Sequence, residues 1–240
     1  MVFAAGLGTR LRPLTDSRPK ALVEVNGVPM LEHVIRHIVA CGFSEIVVNV
    51  HHFGDMVIDF LQSKEWDAKI FISDERGELL DTGGGILKAR EWLDDGRPFL
   101  VHNADILTDI DLMMMYRHHL DSHADATLLA ASRETSRYLL FDAKGQLHGW
   151  INTATEEVKP AGFVYDKKIY RPLAFGGIHV VSPTIFPSLE KYSSERKFSI
   201  TPYYVSECRK LSIMGYSPKE SYRWFDIGKP ETLRLAESSF

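Results

Sequence analysis

The sequence predicts an α/β protein: a mostly parallel sheet with helices on both faces, plus a small β-hairpin insertion over one end of the sheet. Three observations carry this expectation. Short β-rich runs alternate with helix-period patterns through the first half of the chain, which implies right-handed crossovers between parallel strands. The first β-rich run leads straight into a glycine-rich turn, Gly6-Leu7-Gly8. A later apolar run, Phe99-Leu100-Val101-His102, is followed closely by Asp105, at the edge where open α/β sheets bind ligands.

Taken in order, residues 2–5 form the first strand. Residues 29–41 read as a helix: Pro29 sets the start, and Leu31, Val34, Ile35, Ile38 and Val39 make a 3.6-period apolar face. Gly42 follows as its stop. The run EIVVNV over 45–50 is a buried strand. Residues 56–61 are helical, 69–72 a short strand, 84–93 a helix, 99–102 a strand, 109–120 a helix and 126–131 a strand. The pattern then changes. Residues 138–141 and 147–151 flank Ala143-Lys144-Gly145-Gln146 as a hairpin, and the polar stretch 152–168 is expected as a long loop. A strand over 173–181, a short helix over 183–189, a helix over 201–210, a strand over 211–216 and a closing helix over 230–237 complete the chain. Residues 1–240 are expected to form a single domain, with 138–170 as its hairpin and loop insertion.

Composition narrows the function classes. The chain has 240 residues, 45% hydrophobic and 25% charged, which is ordinary for a globular protein and unlike a disordered one. The formal net charge of −4, with no basic-aromatic stripe, argues against nucleic acid as a partner. No apolar run of ~18 residues is present, so no membrane partner is expected. No secretory signal pattern is read at the N-terminus. Cys41 and Cys208 lie far apart and match neither a zinc pattern nor a disulfide framework. A cytoplasmic location is the expectation.

Four segments carry chemistry. The first runs Ala4-Ala5-Gly6-Leu7-Gly8-Thr9-Arg10-Leu11-Arg12-Pro13-Leu14-Thr15, then Pro19-Lys20. Glycines let a backbone approach phosphate, and successive N–H groups make an anion nest. It is not the dinucleotide fingerprint, whose third glycine position is Leu11 here, nor a Walker loop, which needs Gly-Lys-Ser/Thr. Gly6-Leu7-Gly8 alone would read as a solvated turn. The second segment is Leu80-Asp81-Thr82-Gly83-Gly84-Gly85-Ile86, where a triple glycine at a helix entrance suits a flat ligand, against a plain loop with Thr82 as helix N-cap. The third pairs Asp105 with Asp226 of Trp224-Phe225-Asp226-Ile227-Gly228; alone, Asp226 would read as a turn before a helix. The fourth is Phe175-Gly176-Gly177-Ile178-His179, with a strand bulge as the plainer reading. Blander readings hold elsewhere. His51-His52 sits at the ligand edge, His118-His119 is expected to face solvent, Met113-Met114-Met115 packs with one methionine exposed, and Cys41 is a small buried hydrophobe.

The pattern G-x-G-T-R-x-R-P-L-T with Pro-Lys following resembles the signature of the sugar-1-phosphate nucleotidyltransferases, and the later segments follow in that family's order across nearly the whole chain. The triple glycine, Phe175–Ile178 and Phe198-Ser199-Ile200-Thr201-Pro202 look most like its N-acetylmuramate 1-phosphate uridylyltransferase branch, which serves peptidoglycan recycling. The resemblance implies a Rossmann-like nucleotide-diphospho-sugar transferase fold and transfer of a nucleotidyl group from a nucleoside triphosphate, UTP favoured, to a sugar 1-phosphate, giving NDP-sugar and pyrophosphate. Guanylylation of mannose 1-phosphate, or thymidylylation or uridylylation of glucose 1-phosphate, is the alternative, and a non-catalytic nucleotide-sugar sensor the remoter one. It implies catalytic roles for Arg10 on the triphosphate and Lys20 on the α-phosphate and sugar phosphate. Ala4, Ala5, Gly6, Leu7, Gly8, Thr9, Arg10, Thr82, Gly83 and Gly84 would bind the nucleotide, Gly177 the sugar, and Asp105 and Asp226 a Mg²⁺ ion. The insertion 138–170 would lie over the sugar site. The chain would be a monomer or a small homo-oligomer. Two departures stand out: the family's Glu-Lys-Pro has its nearest match in Glu157-Val158-Lys159-Pro160, displaced by one residue, and Asp81 replaces a frequent glycine.

Overall fold

The computed structural model describes residues 1–240, and its contacts divide the chain into two interleaved units. The first holds residues 1–81, 102–113 and 220–240; the second holds residues 82–101 and 114–219.

The first unit is built on parallel strands. β1 (Val2–Phe3) is shorter than expected, because Ala4 and Ala5 already leave the ladder. A small hairpin of β2 (Glu24–Val25) and β3 (Val28–Pro29) precedes helix α1 (Met30–Ala40). Leu31, Val34, Ile35 and Ile38 are buried on one face of α1, as their spacing predicts. Gly42 ends it at φ 95°, its N–H donating to the Val39 carbonyl at 2.8 Å, a left-handed position that glycine takes without steric cost. Strand β4 (Glu45–Val50), helix α2 (Gly54–Gln62) and strand β5 (Lys69–Asp74) follow. β4 is buried from Ile46 to Val50, as a strand covered on both faces should be. β1 lies between β4 and β6 (Phe99–Asn103), parallel to both, with Val2 opposite Val48 and His102; β5 extends the sheet beyond β4. The short strand β7 (Ile106–Thr108) comes next.

The second unit begins inside helix α3 (Asp81–Lys88), which is followed by α4 (Arg90–Leu93). The single helix expected over 84–93 is thus two, starting earlier and interrupted at Ala89. Helix α5 (Leu112–Ser122) leads into β8 (Ala126–Ala131). β9 (Arg137–Phe141) and β10 (Leu147–Asn152) form the expected antiparallel hairpin. The stretch expected as one long loop also contains a strand, β11 (Glu157–Lys159), paired with β10. Three residues are too few for a period-2 pattern to show. β12 (Arg171–Val181) runs antiparallel to β9 and β8. Helices α6 (Phe186–Tyr192) and α7 (Ile200–Glu207) precede β13 (Ile213–Tyr216), parallel to β8. Strand order in this unit is β11-β10-β9-β12-β6.

The chain returns to the first unit for β14 (Trp224–Asp226) and α8 (Pro230–Ser239). β14 pairs antiparallel with β7. The result is a mixed, mostly parallel sheet with helices, the predicted class. No helix is long and apolar enough to cross a membrane.

Cys41, expected as a buried hydrophobe, is only half-buried. An expectation for α5 fails too. His119 does not face solvent: it is 1% exposed, with Nδ1 at 2.9 Å from Thr127 Oγ1 and Nε2 at 2.9 Å from Ser182 Oγ. Nε2 of its neighbour His118 is also buried. Which face of α5 is covered depends on β8 and β12, and the helix's own pattern is too weakly amphipathic to show it.

Candidate active site

In the first unit the glycine-rich turn grows out of β1. The N–H groups of Ala4 and Ala5 donate to Asn49 Oδ1, at 2.8 and 3.3 Å, so the strand is handed to a side chain of β4. Gly6 has nothing within 4 Å of a built Cβ, and Leu7 is exposed. Gly8 adopts φ 65°, and a Cβ there would stand 2.9 Å from both Lys20 Cβ and Thr15 Cγ2. Conformation and space therefore both demand glycine. Buried Thr15 closes the turn, its hydroxyl donating to the Gly8 carbonyl at 2.8 Å. Thr9–Leu11 continues as a short 3₁₀ turn pinned by the buried Leu11 side chain. The position that is not glycine is thus an apolar anchor.

The charged residues meet a few residues away. Lys20, only 8% exposed, extends its Nζ to Asp105 Oδ2 in an ion pair. The β7–β14 pairing sets Asp226 opposite Ile106, next to Asp105, and the Ile227 N–H donates to the Asp105 carbonyl at 2.8 Å. A Cβ on Gly228 would lie 2.9 Å from Arg10 Nη2 and 2.9 Å from Asp226 Oδ1. Glycine at 228 thus leaves room for a guanidinium beside a carboxylate. Arg10, Lys20, Asp105 and Asp226 therefore gather in one place. No group of three or more His, Cys, Asp and Glu side chains is placed so that it could hold a metal ion. His52 packs tilted against Phe53 with centroids 4.2 Å apart, and Nδ1 of His51 is buried with no hydrogen-bond partner.

In the second unit the triple glycine lies within α3. Gly83 and Gly84 donate their N–H groups to the Phe198 carbonyl, at 2.8 and 3.3 Å. Thr82 Oγ1 accepts from the Ile200 N–H at 2.9 Å, so its hydroxyl serves the start of α7. A Cβ on Gly83 would stand 2.2 Å from Cε2 of the Phe198 ring. The glycines therefore seat the segment 198–200 against α3. Asp81 has φ 58°, which explains why glycine is frequent at its position: the helix is entered through the left-handed region, which aspartate tolerates better than most residues. Gly177, at φ 74°, occurs where the register of β12 against β8 shifts, so a bulge is present there. Lys159 pairs with Glu157 at 3.1 Å and lies over the Trp150 ring.

Three residues of these surroundings escaped sequence reasoning. Asn49 lies within β4 and Glu75 just after β5, with no motif around either. Arg133, whose Nη2 donates to the Phe175 carbonyl at 2.8 Å, lies in a polar loop with no local signal.

A sheet whose first strand opens into a glycine turn, with two cations set against two carboxylates beside it, defines an α/β enzyme that handles nucleotide phosphates. The chain belongs to the nucleotidyl transferase family, whose sequence description matches residues 1–239. It is 33% identical to an N-acetylmuramate alpha-1-phosphate uridylyltransferase of Caulobacter vibrioides, over 99% of this chain and 95% of that protein. It is 28% identical to a mannose-1-phosphate guanyltransferase of Schizosaccharomyces pombe, over 96% of this chain and 61% of that one. A crystal structure described as a putative glucose-1-phosphate thymidylyltransferase from Bacillus anthracis, in complex with a sucrose, superposes with TM-score 0.80 at 17% identity, covering 99% of this chain and 93% of that one. At that identity the likeness concerns the fold.

Proposed function

We propose that the enzyme transfers a uridylyl group from UTP to a sugar 1-phosphate, with N-acetylmuramate 1-phosphate as the favoured acceptor, releasing pyrophosphate. The observation that carries this is the convergence of Arg10, Lys20, Asp105 and Asp226 beside the Gly6-Leu7-Gly8 turn. The choice of base and sugar follows the uridylyltransferases at 33% and 30% identity, both matched over nearly their full length.

The reaction needs positioning more than proton transfer. A phosphate oxygen of the sugar 1-phosphate attacks the α-phosphorus, the bond to the bridging oxygen of the β-phosphate breaks, and pyrophosphate leaves with the electron pair. The nucleophile is already anionic, so no general base is required. The obstacle is holding two polyanions in line. Arg10 takes the triphosphate and the departing pyrophosphate with a planar fork suited to bidentate contact. Lys20 is placed by Asp105 and serves the α-phosphate and the incoming sugar phosphate. The turn from Ala4 to Thr9 offers backbone to the nucleotide. Thr82, Gly83 and Gly84 are assigned to the nucleotide; Thr82 is half-buried, whereas Gly83 and Gly84 are buried with their N–H groups engaged by the Phe198 carbonyl. Gly177 is assigned to the sugar. Asp105 and Asp226 suit Mg²⁺, because two carboxylates set next to each other by the β7–β14 pairing, completed by water and substrate phosphates, are what that ion accepts. When bound, the ion offsets charge on the phosphate oxygens.

The test is pyrophosphate release by purified protein with Mg²⁺, crossing UTP, GTP, dTTP and CTP with the 1-phosphates of N-acetylmuramate, mannose, glucose and N-acetylglucosamine. Turnover confined to UTP and N-acetylmuramate 1-phosphate is the expected result. Turnover with GTP and mannose 1-phosphate instead would move the enzyme to the guanylyl branch. Silence across every pair would overturn the proposal.

A further inference from the structure

Glu75 and Asn49 form a buried relay in the first unit. Glu75 is 1% exposed and Asn49 is 2% exposed. Asn49 Nδ2 donates to Glu75 Oε1 at 2.8 Å, while Asn49 Oδ1 accepts from the N–H groups of Ala4 and Ala5. The second carboxylate oxygen, Glu75 Oε2, accepts from the Leu80 N–H at 3.2 Å. The Glu75 N–H donates to the Val50 carbonyl at 2.8 Å, fixing its backbone on the neighbouring strand β4.

The chemistry of these groups sets their orientation. A carboxylate only accepts, so the amide nitrogen of Asn49 must face Glu75 and its oxygen must face the turn. One buried carboxylate thus decides which end of Asn49 meets Ala4 and Ala5, where the glycine-rich turn begins. The same carboxylate holds Leu80, the residue before left-handed Asp81 and the Thr82-Gly83-Gly84 segment. Leaving such a group buried without its partner costs more than an ordinary hydrogen bond contributes.

We propose that Glu75 is a positioning residue that holds the nucleotide-binding turn at Ala4 and Ala5 through Asn49, and at the same time fixes the backbone at Leu80. The inference rests on the nucleotidyl-transfer reading for its consequence, though the relay can be read without any substrate. Glu75 touches no reacting atom.

A charge swap tests it. In Glu75→Gln, the amide oxygen that still accepts from Asn49 leaves an NH₂ facing the Leu80 N–H, donor against donor. In Asn49→Asp, two buried carboxylates face each other. In the double variant every bond can be remade: the new aspartate accepts from Ala4 and Ala5 and from the new glutamine, whose oxygen accepts from Leu80. Two readouts are taken on the full-length protein. The first is amide hydrogen exchange at Ala4, Ala5 and Leu80, with no ligand present. The second is the KM for UTP against the KM for the sugar 1-phosphate. Each single variant is expected to speed exchange at these amides and to raise the KM for UTP by about tenfold, with the sugar-phosphate KM within about twofold. The double variant is expected to recover most of both. Unchanged exchange in Glu75→Gln, or a double variant no better than Asn49→Asp, would overturn the relay. Equal losses of both KM values would make Glu75 a general structural residue. Wild-type protein without turnover would sink the functional reading, and the exchange pattern would still decide the relay.

Discussion

An alanine at position 83 would place its Cβ 2.2 Å from Cε2 and 2.5 Å from Cδ2 of the Phe198 ring. Carbons pack comfortably at roughly 3.5–4.0 Å, so the ring edge has to retreat by more than ~1 Å. The Phe198 backbone cannot follow, because its carbonyl accepts from both Gly83 and Gly84. The ring must swing against Tyr192, whose centroid lies 5.4 Å away. Overpacking of this kind costs about 2–3 kcal/mol. Alanine is better than glycine inside a helix by about 1 kcal/mol, which offsets part of the strain. The net expectation is a loss of about 1–2 kcal/mol, or a fall in Tm of roughly 2–8 °C for a chain of this size. Thermal melts by circular dichroism measure it, in a cycle with Phe198→Ala. That truncation removes the obstacle, so Gly83→Ala should be neutral or mildly stabilising in its background. A Gly83→Ala protein as stable as wild type, or effects that simply add, would refute the packing account and return the triple glycine to ligand approach alone.

Lys20→Ala and Asp105→Ala should each lower kcat for pyrophosphate release by at least about 100-fold, with melting temperatures near wild type, and near-normal turnover in either would remove that residue from the proposed chemistry. Asp81→Val should destabilise by about 1–2 kcal/mol, because a β-branched side chain tolerates the left-handed region poorly, whereas Asp81→Gly should stay close to wild type by chemical denaturation. Acid should weaken the fold through its buried histidines. Burial lowers His119 from 6.5 to about 4 and His179 to about 3, so the unfolded chain takes up more protons than the folded one across the interval below 6.5. Stability should therefore fall from pH 6.5 toward 4, by as much as about 1.4 kcal/mol per pH unit for each histidine, and His119→Gln should flatten the slope of unfolding free energy against pH. A slope unchanged in that variant would show that His119 does not take part.

Much of the fold was legible because its signals are local. The apolar face of α1 repeats every 3.6 residues, Gly42 stops the helix with a positive φ, and the five buried residues of β4 read as an apolar run interrupted only by Asn49. The glycine-rich turn was legible for the same reason: Gly8 must be glycine, and its neighbours to Thr15 and Lys20 are close in sequence. Shorter elements were not. β11, β7 and β14 have three residues each, too few to display any period, and each exists only because a partner strand completes its hydrogen bonds.

The amino-acid sequence by itself determined the α/β class, the glycine turn after the first strand and the identity of the four charged residues beside it. The first two are written in residues near one another in the chain, whereas Asp105 and Asp226, far apart in it, were singled out by the resemblance of the segments around them. Tertiary structure alone decided what those residues meet. The β7–β14 ladder sets Asp226 next to Asp105, the ring of Phe198 turns Gly83 into a packing requirement, and a carboxylate just past the end of β5 orients the amide that receives Ala4 and Ala5. Each is a contact between segments distant in sequence, where no periodicity or spacing operates and only the closing of the sheet brings the atoms within reach.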